Sequence, residues 1–355
     1  MEYTLIEFFN QAIAMPQLFV IIALVLLVTI VSGATDAPNA IATAVSTRCM
    51  KPGTAIGLAA IFNFVGLVGM CFISTAVAHT MFTMVNFQLD GVSQAAASHA
   101  ALMSLIAAMV AAILWGVFCW FFGIPASKSH SLIAGITGAA IAINGMDGVV
   151  PSEWVKVIYG LVFSLIFSFA AGWILVKIFK ALFYDFPRRR TSAAFKWIQN
   201  VLAIILSGLH GAQDGQKFMA IAMLGIALAN GQNESATTSF PLWLMLGCSL
   251  AMSLGTALGG KRIIKSVAMD MVKLEKYQGA AAGLAASSAL LIASLTGMPI
   301  STSHASTSAI MGVGTEKNPR HVKWNVAGNM VKAWLLTFPC CGIIGFALAN
   351  LFMLF

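Results

Sequence analysis

The chain has 355 residues, of which 59% are apolar and only 9% charged, with 20 Lys and Arg against 12 Asp and Glu and a net charge of +8. A soluble domain carries about 25% charged residues, so this composition excludes a soluble enzyme, a disordered chain and a nucleic-acid-binding domain. What it leaves is an all-helical integral membrane protein whose partner is the lipid bilayer and whose basic excess belongs in cytoplasmic loops.

Apolar runs near the length of a bilayer crossing recur from end to end without strand alternation, so they are read as helices. Residues 1–16 carry Glu2 and Glu7 and no Lys or Arg, which does not match the positive start of a signal peptide. The first predicted span, 17–48, holds Thr35, Asp36 and Asn39 between Gly33 and Arg48. It is too long for one straight crossing, and Pro38 removes a helical donor, so a break is predicted at Asp36. Arg48 and Lys51 follow, then span 54–78, an acidic loop 79–98 with Asp90, and span 99–122. Span 123–145 opens with Gly123-Ile124-Pro125-Ala126-Ser127-Lys128-Ser129-His130. A loop with Asp147 and Glu153 leads to span 154–180 and a basic stretch from Lys177 to Lys196. Span 197–229 carries Gln213, Asp214, Gln216 and Lys217 among Gly208, Gly211 and Gly215, and a second break is predicted there. After the loop 230–239 come span 240–259 and residues 261–276, predicted to be a basic amphipathic cytoplasmic segment. Span 277–296 is followed by span 297–314, which opens with Gly297-Met298-Pro299-Ile300-Ser301-Thr302-Ser303-His304. Lys317, Arg320 and Lys323 precede the last span, 326–353.

This makes ten spans. The basic loops alternate with acidic ones, which places both termini outside a cell membrane by the positive-inside rule. Five spans lie in residues 1–186 and five in 187–355, and an odd number per half forces the second half to be inverted. The halves share internal repeats: Gly-x-Pro-x-Ser-x-Ser-His occurs twice at an offset of 174, and Gly33-Ala34-Thr35-Asp36 matches Gly211-Ala212-Gln213-Asp214 at an offset of 178. Inverted repeats with broken helices are the architecture of secondary transporters.

Of the twelve acids, only Asp36 and Asp214 fall deep inside apolar spans. A carboxylate there costs a few kcal/mol or more without a cation, proton or water-filled cavity. Two such carboxylates at matching repeat positions indicate a functional pair rather than a structural hydrogen bond. In the other motif, Pro near a helix start leaves first-turn N–H groups free and Ser caps them, which is an anion site. Two inverted copies can clasp one tetrahedral oxyanion. His130 and His304 are read as structural or as a proton relay, and Lys128 as neutralising an anion or snorkelling to the membrane edge. Lys217 pairs with Asp214 or with the substrate, and Lys332 snorkels. The six cysteines form no CxxC pair and are read as packing residues, with no disulfide framework, metal site or cofactor.

These motifs resemble those of the PiT family of inorganic phosphate transporters. The family pattern Gly-Ala-Asn-Asp-x-Ala-Asn-Ala reads Gly33-Ala34-Thr35-Asp36-Ala37-Pro38-Asn39-Ala40 here, and Gly-x-Asn-Asp-x-Gln-Lys reads Gly211-Ala212-Gln213-Asp214-Gly215-Gln216-Lys217. The Ser-His segments at 125–130 and 299–304 match as well, so the resemblance covers the whole chain. It departs from the pattern at Thr35, Gln213 and Pro38, which leaves the coupling ion and its stoichiometry open. The resemblance implies import of inorganic phosphate by symport with sodium or protons through alternating access, with a sulfate permease of the same fold as the alternative. The expected anion ligands are Asn39, Ser127, Lys128, Ser129, Lys217, Ser301, Thr302 and Ser303. Thr35, Asp36, Gln213 and Asp214 form the expected cation-coupling set, with Asp36 and Asp214 as sodium ligands. An intramembrane protease and a passive anion channel are the rival classes. The paired motifs and the absence of Gly-x-Gly-Asp argue against the first, and two carboxylates in an anion path argue against the second. Nothing in the sequence sets the oligomeric state, so a homo-oligomer stays open.

Overall fold

The computed structural model describes residues 3–36, 38–87, 89, 91, 93–122, 126–231, 240–259 and 272–354. In chain order the helices are α1 (Leu5–Ala14), α2 (Pro16–Asp36), α3 (Pro38–Ser46), α4 (Pro52–Ile73), α5 (Ala76–Thr83), α6 (Gln94–Phe121), α7 (Lys128–Asn144), α8 (Pro151–Leu182), α9 (Arg188–Ala229), α10 (Leu242–Gly259), α11 (Lys276–Thr296), α12 (Thr302–Lys317) and α13 (Trp324–Phe352). Gly123 to Pro125 and most of the predicted segment 261–276 lie outside the described residues. Within that segment Lys273 is exposed and Lys276 opens α11.

Eight helical stretches among the described residues are long and apolar enough to cross a membrane, with Pro16–Ser46 counted as one. Two of the ten predicted spans fall short of that length: α7 has 17 residues and α12 has 16. Both are largely buried, so they lie inside the protein rather than against lipid. The surface of the long helices is apolar instead. On α10, Leu242, Leu246, Leu250, Leu254 and Leu258 recur at every fourth residue and are all exposed. Such a stripe suits hydrocarbon, while Asn63, Gln213, Gln216 and Lys217 are buried.

Two sequence expectations need correction. Residues 5–14, taken as loop, form α1, whose Thr4 and Glu7 make a reciprocal capping box. The Thr4 N–H and hydroxyl hold the Glu7 carboxyl below the usual carboxylate range. The second correction concerns span 197–229. It does not break at Asp214 but runs through it as one 42-residue helix, α9. At the first Asp the described helix runs to Asp36 in α2 and again from Pro38 in α3; residue 37, where the break was predicted, lies outside the described residues. The glycines around Asp214 serve close packing. A Cβ on Gly211 would lie 2.3 Å from the Asn63 carbonyl oxygen, and one on Gly66 would lie 2.0 Å from that of Gly208. They let α4 lie directly on α9, as small residues do at membrane helix contacts.

Helix pairing exchanges partners between the two halves. α4 packs on α9 and α10 on α2, while α7 packs on α13 and α12 on α8. The closest approaches match residue for residue. A Cβ on Gly138 would come 2.0 Å from the Gly342 carbonyl oxygen, and one on Gly312, 174 positions later, would come 2.1 Å from that of Phe169. Likewise a Cβ on Gly172 would come 2.6 Å from the Ala309 oxygen, and one on Gly345 would come 2.5 Å from the Gly135 oxygen.

Candidate functional site

The site is built where α7 and α12 begin. Each opens on an extended Ser: Ser127 has φ −80° and ψ 127°, and Ser301 has φ −90° and ψ 124°. Each hydroxyl accepts from the N–H three residues on, His130 and His304, at 3.4 Å. The two rings meet edge to face with centroids 4.5 Å apart, so the two helix starts converge. Trp334 packs on His304 and Phe338 on His130.

Between these starts lies Asp214 of α9. Its Oδ1 accepts from the Lys217 ammonium at 2.8 Å and from the Ser129 hydroxyl at 3.3 Å. Its Oδ2 accepts from the Thr302 hydroxyl at 3.2 Å. The His210 Nε2 is 3.3 Å from the same oxygen. All of these side chains are buried. The Lys217 ammonium completes its three bonds with the Ser129 hydroxyl at 2.7 Å and the Ile300 carbonyl. A carboxylate, a hydroxyl and a backbone carbonyl therefore surround one positive charge. Asp36 occupies the matching place in the first half. It accepts from the Lys128 backbone N–H at the start of α7, and Lys128, Asp214 and His210 are its ionisable neighbours. Lys128 is buried rather than at the membrane edge, and its ammonium runs close to Gly116 of α6. Lys332 is exposed on α13.

The polar residues that crowd Asp214 hold other segments. Gln213 donates to the Met298 carbonyl at 2.7 Å and accepts from the Ser294 hydroxyl at 3.0 Å. Gln216 donates to the Ser74 carbonyl, where α4 ends. Thr80 donates to the Gly297 carbonyl at 2.8 Å. Gly297 caps α11 with a left-handed φ of 72°, and the chain then runs non-helical to Ser301, the Ile300 N–H turning back to the Met298 carbonyl at 2.9 Å. Buried carbonyls of such a stretch have no helical partner, so side-chain donors must supply one. α9 is continuous because its polar side chains satisfy the breaks of its neighbours.

Not every expected ligand reaches the centre. The Thr35 hydroxyl donates back to the Val31 carbonyl at 2.9 Å. Ser303 touches Ser301 at 3.1 Å rather than either Asp. Asn39 is buried beside the α2–α3 junction. Two residues of the site escaped the sequence reading. His210 lies one turn before Asp214, and its Nδ1 pairs with the Asn63 Oδ1 at 2.9 Å, while Asn63 donates to the Thr256 hydroxyl at 3.0 Å. A His and an Asp four positions apart on one helix face were the available signal for His210, and a lone Asn in the apolar run 54–78 was the signal for Asn63.

Residues 32–345 match the phosphate transporter family. The chain belongs to that family. It is a family of transporters, not of enzymes, which sets the protease reading aside, and it makes this a multi-pass membrane protein. A probable low-affinity inorganic phosphate transporter of Bacillus subtilis is 36% identical over 315 residues, covering 89% of this chain and 91% of that one. Its counterpart in Rhizobium meliloti is 35% identical over 335 residues, covering 94% and 96%. A solved sodium-dependent phosphate transporter superposes with a TM-score of 0.86 over 96% of this chain and all of that one, at 20% identity. At that identity the likeness speaks for the fold.

Proposed function

We propose that this protein imports inorganic phosphate across the cell membrane together with a cation, sodium or a proton, by alternating access of two inverted repeats, 1–186 and 187–355. The observation that carries the reading is the convergence of two Ser-capped helix starts on one buried carboxylate through Ser129 and Thr302. Asp214 accepts from the hydroxyl donors that an oxyanion would use, and Lys217 neutralises it. A cation bound at the Asp36 and Asp214 carboxylates removes their repulsion of the anion. Phosphate can then take up Ser127, Ser129, Ser301, Thr302 and the free N–H groups of both helix starts. Each ligand raises the affinity for the other, which is reciprocal linkage and the basis of coupling. The exchanged packing of α7 on α13 and α12 on α8 supports two pseudo-equivalent units that rock about this point. On this reading ten segments enter the membrane, α7 and α12 being the two short ones, and both termini are external.

The test is phosphate uptake into proteoliposomes under sodium and pH gradients imposed separately, with sulfate as competitor. Uphill phosphate accumulation under one gradient is expected. Asp36→Asn and Asp214→Asn should each abolish accumulation, and retention of accumulation by both would overturn the coupling role of the Asp pair.

A further inference from the structure

A cavity elsewhere in the molecule shares no lining residue with the Asp-pair site. It has a volume of about 640 Å³ and is enclosed by the end of α8, the start of α9 and the start of α11. Its size falls in the range of small-molecule sites, about 300–1,000 Å³. The electrostatics there are unusual. The 42-residue helix α9 opens with Arg188-Arg189-Arg190, has no acid in its first turn, and follows Pro187, which supplies no side-chain cap. Three cations at the positive end of a helix dipole are unfavourable unless an anion joins them. Arg188 lines the cavity, and Lys276 faces it from α11, its ammonium donating to the Ser192 hydroxyl of α9 at 3.0 Å. Glu275 is the acid of the wall, and its carboxylate is turned back into the capping box of its own helix. Lys180 is matched by Glu316 at 3.3 Å. With Lys180 paired to Glu316, Arg188 and Lys276 outweigh Glu275 and leave the lining net positive, with the Thr191 and Ser192 hydroxyls beside them. That donor set fits phosphate oxygens.

The remaining wall identifies the source of the phosphate. Phe179, Phe183 and Phe186 line the same cavity, and α8 continues outward through exposed Ile174, Ile178 and Leu182. Polar donors at one end and an aromatic wall leading to the lipid-facing surface suit an amphiphile rather than a free ion. We infer that this cavity binds the phosphate headgroup of an anionic phospholipid. It is separate from the transport site and uses none of its residues.

The experiment measures unfolding temperature of the purified full-length protein in phosphatidylcholine nanodiscs containing increasing phosphatidylglycerol. Phosphatidylglycerol should stabilise the wild type with a saturable midpoint. The double variant Arg188→Gln, Lys276→Gln should shift that midpoint upward by about 30-fold, two cations' worth of attraction. Arg320→Gln, Lys323→Gln removes two basic residues elsewhere and should leave the midpoint in place. If the first double variant does not fold, the exposed single change Arg188→Gln should still shift the midpoint by about fivefold. Three results would overturn the inference: no stabilisation of the wild type by phosphatidylglycerol, equal loss in both double variants, or protection by inorganic phosphate that Arg188→Gln, Lys276→Gln loses as fully as it loses that by phosphatidylglycerol.

Discussion

Lys217 and Asp214 form a buried ion pair, 2.8 Å apart, in a protein with few charges to spare. Removing one partner of such a pair strands the other, at a cost of about 3–5 kcal/mol. Lys217→Met should therefore destabilise the protein by that amount. Adding Asp214→Asn should recover most of the loss while leaving accumulation of phosphate abolished. Unfolding of the two single variants and the double variant forms a cycle, and additive effects would show that the pair is not coupled. The sequence placed Asp36 and Asp214 correctly as carboxylates buried in apolar helices, because an acid inside an apolar run is conspicuous. His210 and Asn63 were not legible in the same way. A single neutral polar residue in an apolar run is common, and only the fold shows that its hydrogen bond reaches the site.

At the scale of elements, the two helix starts were legible where chemistry marks them. A Ser followed by a free first turn starts a helix whatever surrounds it, and both α7 and α12 begin there. The continuity of α9 was not legible, because Gly in an apolar run signals either a break or a close approach, and only the partner helix distinguishes them. The same ambiguity hid the role of Gln213, which braces the chain before α12. Gln213→Ala removes one of the two donors to the Met298 carbonyl, the other being the Ile300 N–H at 2.9 Å, and takes the acceptor from the buried Ser294 hydroxyl, a loss of about 1–3 kcal/mol. Hydrogen exchange at the amides of residues 298–304 should speed up in this variant while the amides of α9 keep their protection. Equal loosening of α9 would mean that Gln213 stabilises its own helix instead. The close approaches give a sharper contrast. Gly138→Ala and Gly312→Ala each drive a Cβ to about 2 Å from a carbonyl oxygen of the facing helix, and overpacking of this kind costs about 1–3 kcal/mol. Gly69 of α4 has nothing within 4 Å of the added atom, so Gly69→Ala should stabilise by about 0.5–1 kcal/mol through helix propensity. Thermal unfolding of the three variants in detergent checks the order.

The whole molecule turns on the relation between its halves. The offset of 174 that joins the two Ser-His motifs also joins Gly138 to Gly312, and these glycines contact α13 and α8 respectively. The same offset thus joins packing residues as well as motif residues, and α7 packs on α13 while α12 packs on α8. The number of membrane-crossing segments was less legible, because α7 and α12 are apolar enough to read as spans yet too short and too buried to be ordinary ones. The proposed inversion predicts which loops share a side, and labelling tests it directly. Met146 lies in the turn after α7, Arg320 in the turn after α12, and Leu354 just past α13, and all three are exposed. Cys71 and Cys340 are the two cysteines that are not fully buried, so replacing them with Ala gives a background for single-cysteine variants. In intact cells an impermeant maleimide should label Met146→Cys and Leu354→Cys, while Arg320→Cys should react only after permeabilisation. α7 and α12 are the equivalent helices of the two halves, so their trailing turns must fall on opposite sides if the halves are inverted. Labelling of Met146→Cys and Arg320→Cys from the same side would remove the inversion and the symmetric clasp of the anion with it.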